Sequence, residues 1–240
     1  MMISNNLFSL ESKTALVTGG STGLGLMATA GLAAAGAKVF IVSRKLENCE
    51  KAANKINNCN FKGQVVPFKG DLSSEAGISN IVDELHKKNS ELHVLVNNAG
   101  RTWGSNFGSF PYDAWEKVLN LNVSALFHLT QKLVPLLAAS AERDSPTRVI
   151  NIGSVMGEVP MGDGAYSYAA SKSAVHHITK ILAKELAEKN ITVNALSPGP
   201  FQSNMTDFAI GDPKGSTRVS KRVPLKRIGK TEDIAASIQF

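Results

Sequence analysis

Six short β-branched and apolar runs alternate with longer segments of helical periodicity, and this alternation constrains the fold more than any other feature. The predicted strands are residues 14–18, 39–42, 64–68, 94–97, 148–152 and 191–196. The predicted helices are residues 24–35, 46–56, 76–88, 115–139 and 169–189. A regular strand and helix alternation indicates a parallel sheet with right-handed crossovers. The predicted fold class is therefore α/β, a single Rossmann-type doubly wound parallel sheet with helices on both faces.

The chain is expected to form one domain, because no linker or change of composition divides residues 1–240. A chain of this length can form one such domain. Residues 207–229 are punctuated by Gly and Pro, which predicts a mobile basic lid over the substrate. Pro135 is expected to kink or interrupt the helix predicted over residues 115–139.

The end of the sequence is unusual for such a sheet. Thr231 is expected to cap a last helix, and the sequence stops at Phe240. A sheet of this class would normally continue, so its last strand is predicted to be missing at the C-terminus. Two explanations stay open: the sequence is truncated, or the protein lacks this strand. In either case the sixth strand would be an exposed edge.

The formal net charge of +6 is concentrated in one segment, and the rest of the chain is nearly neutral. The seven basic residues of this segment are Lys214, Arg218, Lys221, Arg222, Lys226, Arg227 and Lys230, with no acidic residue among them. Interleaved aromatic residues are missing, so no nucleic-acid partner is expected. The segment is interpreted either as a solvated lid or as a surface that attracts an anionic partner.

The cysteines and histidines do not indicate a metal site. Cys49 and Cys59 have no CxxC spacing and no His at ligand spacing, so a reduced, cytoplasmic protein is expected. The adjacent His176 and His177 would point about 100° apart on a helix and could not chelate one ion. No apolar run approaches the roughly 20 residues that span a bilayer, so no membrane partner is expected.

A glycine-rich turn follows the first predicted strand and opens a helix. Small residues at this place allow a pyrophosphate to approach backbone N–H groups at the positive end of the helix. The predicted cofactor-binding residues of this turn are Gly19, Ser21, Thr22, Gly23, Leu24 and Gly25. The alternative is a glycine-rich turn that serves packing alone.

The ends of the second and third strands predict how the adenosine half of a dinucleotide is held. Ser43, Arg44 and Lys45 replace the acidic residue that would bind a ribose 2′-hydroxyl, and they suit a 2′-phosphate. NADP(H) is therefore the predicted cofactor, unless the two cations only begin a solvated helix. Asp71, followed by Leu72, could accept a hydrogen bond from the adenine amino group or could cap the next helix.

Tyr168 and Lys172 are four residues apart on one predicted helix face. A nearby cation stabilises phenolate, so the pair predicts a tyrosine whose pKa is lowered towards neutrality and which exchanges protons with a substrate. Ser154 closes the fifth strand at the carboxyl edge of the sheet, where ligands bind in such folds.

With these motifs the chain resembles the short-chain dehydrogenase/reductase family, and within it the NADPH-dependent 3-oxoacyl-[acyl-carrier-protein] reductases and related ketoreductases. The matching motifs are the turn of residues 18–25, Asp71, Asn97-Asn98-Ala99-Gly100, Asn122, Ser154, Tyr168, Lys172 and Pro198-Gly199. They cover the chain from about Lys13 to its last residue, so the single domain would be a dinucleotide-binding and catalytic domain. The alternative, suggested by the missing last strand, is a nucleotide-binding protein without catalysis. The resemblance implies a hydride transfer between NADPH and a ketone or secondary alcohol.

The resemblance also implies roles for four catalytic residues. Tyr168 would be the general acid for ketone reduction and the base for alcohol oxidation. Lys172 would lower the pKa of Tyr168 and hold the nicotinamide ribose. Ser154 would hydrogen-bond the substrate oxygen, and Asn122 would anchor a proton-relay water.

Two further segments are implied to contact the cofactor. The backbone of Asn98, Ala99 and Gly100 would line it, with Asn97 bracing the strand, although a simple turn is the alternative. Pro198, Gly199, Phe201 and Ser203 would run beside the nicotinamide carboxamide. Ser203 stands where the family often has Thr.

A 3-oxoacyl thioester, possible in carrier-linked form, is the first substrate expected from the resemblance. The basic segment would then attract phosphopantetheine, coenzyme A or an acidic carrier protein. A secondary-metabolite, steroid or sugar-acid ketone is the alternative, because the lid sets selectivity. The family also implies a homotetramer or homodimer.

Overall fold

A computed structural model of the chain describes residues 7–89, 91–161 and 164–239. Its sheet has six parallel strands in the order β3-β2-β1-β4-β5-β6. The strands are β1 Thr14–Thr18, β2 Lys38–Ser43, β3 Gln64–Lys69, β4 Val94–Asn97, β5 Thr147–Ile152 and β6 Ile191–Leu196. The predicted doubly wound parallel sheet is confirmed. Residues 1–6, 90, 162, 163 and 240 of the predicted domain lie outside the described residues.

Helices pack on both faces of the sheet. They are α1 Gly23–Ala34, α2 Leu46–Asn57, α3 Glu75–Lys88, α4 Tyr112–Leu119, α5 Ala125–Ala139, α6 Tyr166–Leu186, α7 Asp207–Ile210, α8 Pro213–Ser220 and α9 Thr231–Gln239. Side chains of successive strand residues point to opposite faces. In β1, Ala15 and Val17 join a core with Leu32 of α1 and Ile234 of α9, whereas Leu16 joins a second core under α3 and α5. Burial on both faces explains why the central strands are continuous apolar runs.

The helix predicted over residues 115–139 is divided in two. A π-helical turn, Asn120–Ser124, separates α4 from α5 and carries the buried Asn122. Pro135 lies inside α5 and does not interrupt it, so the predicted interruption is wrong and the predicted kink stays a prediction. Pro135 is on the exposed side, where solvent can satisfy the Gln131 carbonyl that loses its helical partner.

The predicted lid segment contains two short helices, α7 and α8. Asp212 caps α8, since its Oδ1 accepts a 2.8 Å hydrogen bond from the Gly215 N–H, and Pro213 follows in the first turn. The structure does not bear on the mobility of the segment, which stays a prediction.

The last helix, α9, packs on α1. Thr231 is its first residue and not its cap; the side chain of Asp233 instead accepts a 2.8 Å hydrogen bond from the Lys230 N–H. The Gln239 side chain donates a 2.8 Å bond to the Gly31 carbonyl. An added Cβ on Gly31 would lie 2.7 Å from the Ala235 Cα, so glycine is needed for this close approach.

Candidate active site

The parallel sheet brings the ends of β1, β4, β5 and β6 to one edge, and the first turns of α6 lie across the end of β5. Lys172 of α6 is 5% exposed, and its Nζ donates a 2.5 Å hydrogen bond to the Ile152 carbonyl at the end of β5. The same Nζ lies 5.6 Å from the centre of the Tyr168 ring. The side chain of Ser154, two residues beyond Ile152, interacts with the Tyr168 hydroxyl. The predicted Ser154, Tyr168 and Lys172 therefore meet at the carboxyl edge of the sheet.

Burial shifts both ionisable groups of this cluster. It lowers the pKa of Lys172 to about 8, because the charged ammonium loses solvation. Burial also raises the pKa of Tyr168 above its ordinary value, and the interaction with Ser154 acts in the opposite direction. The predicted lowering of the Tyr168 pKa is thus not what the structure gives, because the loss of solvation around the phenol dominates.

Asn122 is placed by the π-helical turn and joins two elements of the site. Its Nδ2 donates to the Arg101 carbonyl at 3.0 Å and to the Ser171 Oγ at 2.9 Å, and its Oδ1 accepts from the Arg101 N–H at 2.9 Å. Ser171 in turn donates a 2.7 Å bond to the Tyr168 carbonyl. Asn122 thus connects the segment after β4 to the helix that carries Tyr168.

Sequence reasoning missed two residues of this site. Ser171 carries the link between Asn122 and Tyr168, and His176 accepts a 3.3 Å hydrogen bond from the Ser154 N–H. Their only sequence signal is helical spacing from the Tyr168 and Lys172 motif. That spacing does not reveal which side chains face the loop after β5.

The glycine-rich turn has the geometry that a pyrophosphate requires. Gly19 and Gly23 have φ of +64° and +52°, a region that favours glycine. Thr22 precedes α1 without making a side-chain capping bond, and the first turn of α1 contains no acidic residue. The N-terminal N–H groups of α1 therefore lack a capping side chain, which fits an anionic group. Packing also matters, since an added Cβ on Gly25 would lie 2.2 Å from the Gly19 carbonyl oxygen.

Asn98 supports this turn from the neighbouring strand. Its Nδ2 donates to the carbonyls of Thr18 and Gly19 at 2.9 and 3.2 Å. The N–H groups of Asn98 and Ala99 both donate to the Thr18 hydroxyl at 3.0 Å. The Asn97 side chain donates to Asn151 Oδ1 at 2.9 Å and so connects β4 to β5. Gly100 follows this segment, and a Cβ added to it would lie 3.2 Å from Asn122 Oδ1.

The segment after β6 closes the other side of the edge. A Cβ on Gly23 would lie 3.1 Å from the Ser203 Cβ, so this segment faces the glycine-rich turn. The Pro198 carbonyl accepts a 3.2 Å bond from the Val155 N–H. Phe201 is buried in the core on the α1 side. Gly199 has open space around its Cα, with no atom of the described residues within 4 Å of an added Cβ.

The residues predicted to hold the adenosine follow β2 and β3, apart from the catalytic cluster. The Arg44 side chain is exposed and has no hydrogen bond or ion pair to another described residue. The Ser43 hydroxyl is already engaged, since it donates to the Lys45 carbonyl at 3.1 Å. Asp71 does not cap α3; its Oδ1 accepts from the Ser73 N–H at 2.9 Å, and Ser74 is the cap.

Leu72 packs against the core on the α3 and α5 side. Within residues 7–89, 91–161 and 164–239, no group of three or more His, Cys, Asp or Glu side chains could hold a metal ion. None of the helices described is long and apolar enough to cross a membrane.

Comparisons with known proteins give the family. The model of the short chain dehydrogenase family matches residues 13–212. A rhamnolipids biosynthesis 3-oxoacyl-[acyl-carrier-protein] reductase of Pseudomonas aeruginosa is 45% identical over 95% of this chain and 88% of its own length. A 5-keto-D-gluconate 5-reductase of Escherichia coli is 33% identical over 98% of this chain and 90% of its own length.

A solved structure, the Pseudomonas aeruginosa RhlG/NADP active-site complex, has a TM-score of 0.93 and 44% identity. The match covers 98% of this chain and 91% of that one. The predicted resemblance is therefore confirmed, and the chain belongs to the short-chain dehydrogenase/reductase family of oxidoreductases.

Proposed function

We propose that this protein is an NADPH-dependent ketoreductase that converts a ketone to a secondary alcohol. The observation that carries the proposal is the meeting of Ser154, Tyr168 and Lys172 at the edge of the sheet where the uncapped N-terminus of α1 also lies. An acid, a second hydroxyl and a buried cation beside a site for pyrophosphate are the groups that carbonyl reduction needs.

Each catalytic side chain has a separate task in the proposed reaction. NADPH supplies the hydride when bound. The Tyr168 hydroxyl holds the proton for the carbonyl oxygen, and its raised pKa keeps it protonated at neutral pH. Ser154 donates a hydrogen bond to the same oxygen. Lys172 remains charged below about pH 8 and stabilises the phenolate left after proton transfer.

Asn122 fixes the geometry of these groups through Ser171 and the backbone of Tyr168. In the proposed role it also anchors a water that returns a proton to Tyr168. The pair of hydrogen bonds to the Arg101 backbone prevents rotation of its amide. A fixed proton donor lowers the barrier because the reacting atoms need no further ordering.

The proposed preference for NADP(H) rests on Arg44. Its exposed guanidinium follows the carboxyl end of β2 and is not engaged by another described residue. A guanidinium can bind a 2′-phosphate through two parallel hydrogen bonds. The similarity to the RhlG/NADP complex supports the same assignment.

The proposed substrate is a 3-oxoacyl thioester, linked to an acidic carrier or to coenzyme A. The names of two relatives point to two kinds of ketone substrate. One relative is a 3-oxoacyl-[acyl-carrier-protein] reductase, and the other is a 5-keto-D-gluconate 5-reductase. The charge of the lid favours the former. Lys214, Arg218 and Lys221 line a shallow groove of about 420 Å³ along α8, spaced so that they share one helix face.

Turnover with NADPH tests the proposal. The protein should oxidise NADPH in the presence of a 3-oxoacyl thioester, and Tyr168→Phe should lower kcat about 100-fold or more while NADPH binding is unchanged. Ser154→Ala and the wild type serve as comparisons in the same assay. NADPH binding without reduction of any ketone would favour the alternative, a nucleotide-binding protein without catalysis. Full turnover by Tyr168→Phe would contradict the assignment of the acid.

A homodimer or homotetramer and a cytoplasmic location are proposed with this function. They rest on the family and on the two free cysteines, Cys49 and Cys59.

A further inference from the structure

The imidazole of His176 fills the space beneath the loop that carries Ser154. This loop runs from Gly153 to Glu158 and includes a 3-10 turn, Val155–Gly157. An added Cβ on Gly153 would lie 2.0 Å from His176 Nε2, and one on Gly157 would lie 2.9 Å from His176 Cε1. The ring thus leaves no room for a side chain at Gly153, and at Gly157 it does so together with the Lys172 backbone, 2.7 Å from the added Cβ. The ring is packed directly against the loop backbone.

The hydrogen bonds of His176 define its neutral form. The Ser154 N–H donates to Nε2 at 3.3 Å, so Nε2 must carry a lone pair. The proton of the neutral ring is then on Nδ1, which lies 3.3 Å from the Glu158 Oε1. The Ser197 hydroxyl is 3.1 Å from Nε2 and 3.1 Å from the same Glu158 oxygen.

Helix α6 thus holds the end of β5 at two points one helical turn apart. Lys172 binds the Ile152 carbonyl, and His176 binds the Ser154 N–H. The Ser154 Oγ in turn accepts a 3.2 Å bond from the Met156 N–H and so starts the 3-10 turn. The position of the Ser154 hydroxyl relative to Tyr168 depends on both points.

We propose that His176 is a positioning residue that holds the Ser154 backbone in place for ketone reduction and releases it when the imidazole becomes protonated. The proposal rests on the function proposed above, because it acts through Ser154. On protonation, Nε2 carries a proton and can no longer accept the Ser154 N–H. That proton can instead be donated to the Ser197 hydroxyl, while Glu158 stabilises the cation.

The charged groups around His176 set the pH at which this occurs. Burial lowers the pKa of His176 below its ordinary value, Glu158 acts in the opposite direction, and Lys172 and Lys180 of its own helix lower it further. Leu196 and Ser197, which approach from the end of β6, carry no charge. The ring is therefore neutral at pH 7, and it takes up its second proton at a lower pH than an unperturbed imidazole does.

The pH profile of three variants tests the proposal. His176→Gln places an amide that can accept the Ser154 N–H without titrating, His176→Leu removes the acceptor, and His177→Gln is a matched control on the exposed neighbour. At pH 7 and saturating NADPH we expect His176→Leu to lower kcat about tenfold, and His176→Gln to stay within about threefold of the wild type.

Between about pH 7 and pH 5 the wild type and His177→Gln should lose activity several-fold, whereas His176→Gln should lose little. Tyr168 is protonated throughout this range and cannot cause such a loss. The proposal would be overturned if His176→Gln lost activity at low pH as strongly as the wild type does. It would also be overturned if His176→Leu kept the wild-type kcat at pH 7. NADPH affinity, measured by fluorescence, should change less than about twofold in every variant.

A second measurement does not depend on activity. The backbone amide of Ser154, followed by nuclear magnetic resonance, should shift as His176 titrates in the wild type and should stay constant in His176→Gln. An amide that does not shift in the wild type would overturn the proposal. If the wild type reduces no ketone, the proposed function fails, and the Ser154 amide still shows whether His176 holds and releases the loop.

Discussion

Burial favours the neutral forms of both Tyr168 and Lys172, and for Tyr168 the neutral form is the one that the proposed ketone reduction uses. The raised pKa of Tyr168 keeps the proton that reduction needs, whereas oxidation would need the phenolate that burial disfavours. The pKa of about 8 leaves Lys172 charged at neutral pH, so its positive charge is available where the phenolate forms. The spacing of the two residues in the sequence could predict their meeting but not the sign of the Tyr168 shift. That sign depends on how completely the surrounding elements exclude water.

Arg44 is the residue at which cofactor choice can be changed. We expect Arg44→Asp to raise the KM for NADPH about 10-fold to 100-fold, because a charge-assisted contact to the 2′-phosphate is replaced by repulsion. The KM for NADH should stay the same or fall, since a carboxylate can accept the 2′-hydroxyl. Steady-state kinetics with both cofactors measure the change.

Lys55→Asp is the matched control for Arg44→Asp, because it makes the same change of charge at an exposed cation in the last turn of α2, at the other end of that helix. Its effect on either KM should be small. If Arg44→Asp changed the KM for NADPH and the KM for NADH by the same factor, Arg44 would not contact the 2′-phosphate and would only be part of a solvated helix start.

At the scale of elements, the sequence predicts structure best where a local pattern decides it. The limits of β1 and β4 agree with the predicted apolar runs because both strands are buried on both faces. The limits of β6 also agree, although Thr192 and Asn194 of this strand are exposed. The π-helical turn at Asn120–Ser124 was not predicted, since nothing in the spacing of its apolar residues departs from an α-helix. Helices α7 and α8 were also missed, because Gly and Pro there begin and end short helices that are fixed by tertiary contacts and by the Asp212 cap.

The contact between α1 and α9 gives a test of element packing. Gly31→Ala would place a Cβ 2.7 Å from the Ala235 Cα, and backbone cannot move as a side chain can. Overpacking costs about 1–3 kcal/mol, which exceeds the roughly 1 kcal/mol that Ala gains over Gly in a helix. We expect a net loss of about 1 kcal/mol in the free energy of unfolding, measured by urea denaturation.

Gly104→Ala is the control for this contact, since no described atom lies within 4 Å of its added Cβ. That variant should be within about 0.5 kcal/mol of the wild type. An unchanged urea midpoint for Gly31→Ala would mean that α9 shifts without cost. Because α1 starts at the glycine-rich turn, a displaced α9 should also weaken NADPH binding.

At the scale of the whole molecule, the position of the charge matters more than its amount. The net charge of +6 comes from a segment that includes α8, while the rest of the chain is nearly neutral. Arg227 is not available to a ligand in the same way as its neighbours, because it forms a bidentate ion pair with Asp233 at 2.6 and 2.8 Å. Lys214 and Arg218 of α8 and Lys221 just beyond it line the groove, and they are the cations proposed to receive an anionic carrier.

Charge reversal at two different places, with the same change of net charge, separates the effect of the position of the charge from the effect of its amount. Replacing Lys214, Arg218 and Lys221 by Glu should raise the KM for a carrier-linked or coenzyme A thioester about tenfold, and leave the KM for a neutral diketone within about twofold. Replacing Lys88, Lys184 and Lys189 by Glu gives the same net charge, but these residues are exposed at or just beyond the ends of α3 and α6, at the opposite edge of the sheet. That variant should keep the wild-type KM for both substrates. The difference in KM between the two charge-reversal variants should become small at about 0.5 M salt, because salt then screens charges beyond a few ångströms. Equal effects on charged and neutral substrates would mean that the basic segment is a solvated lid and takes no part in recognising a carrier.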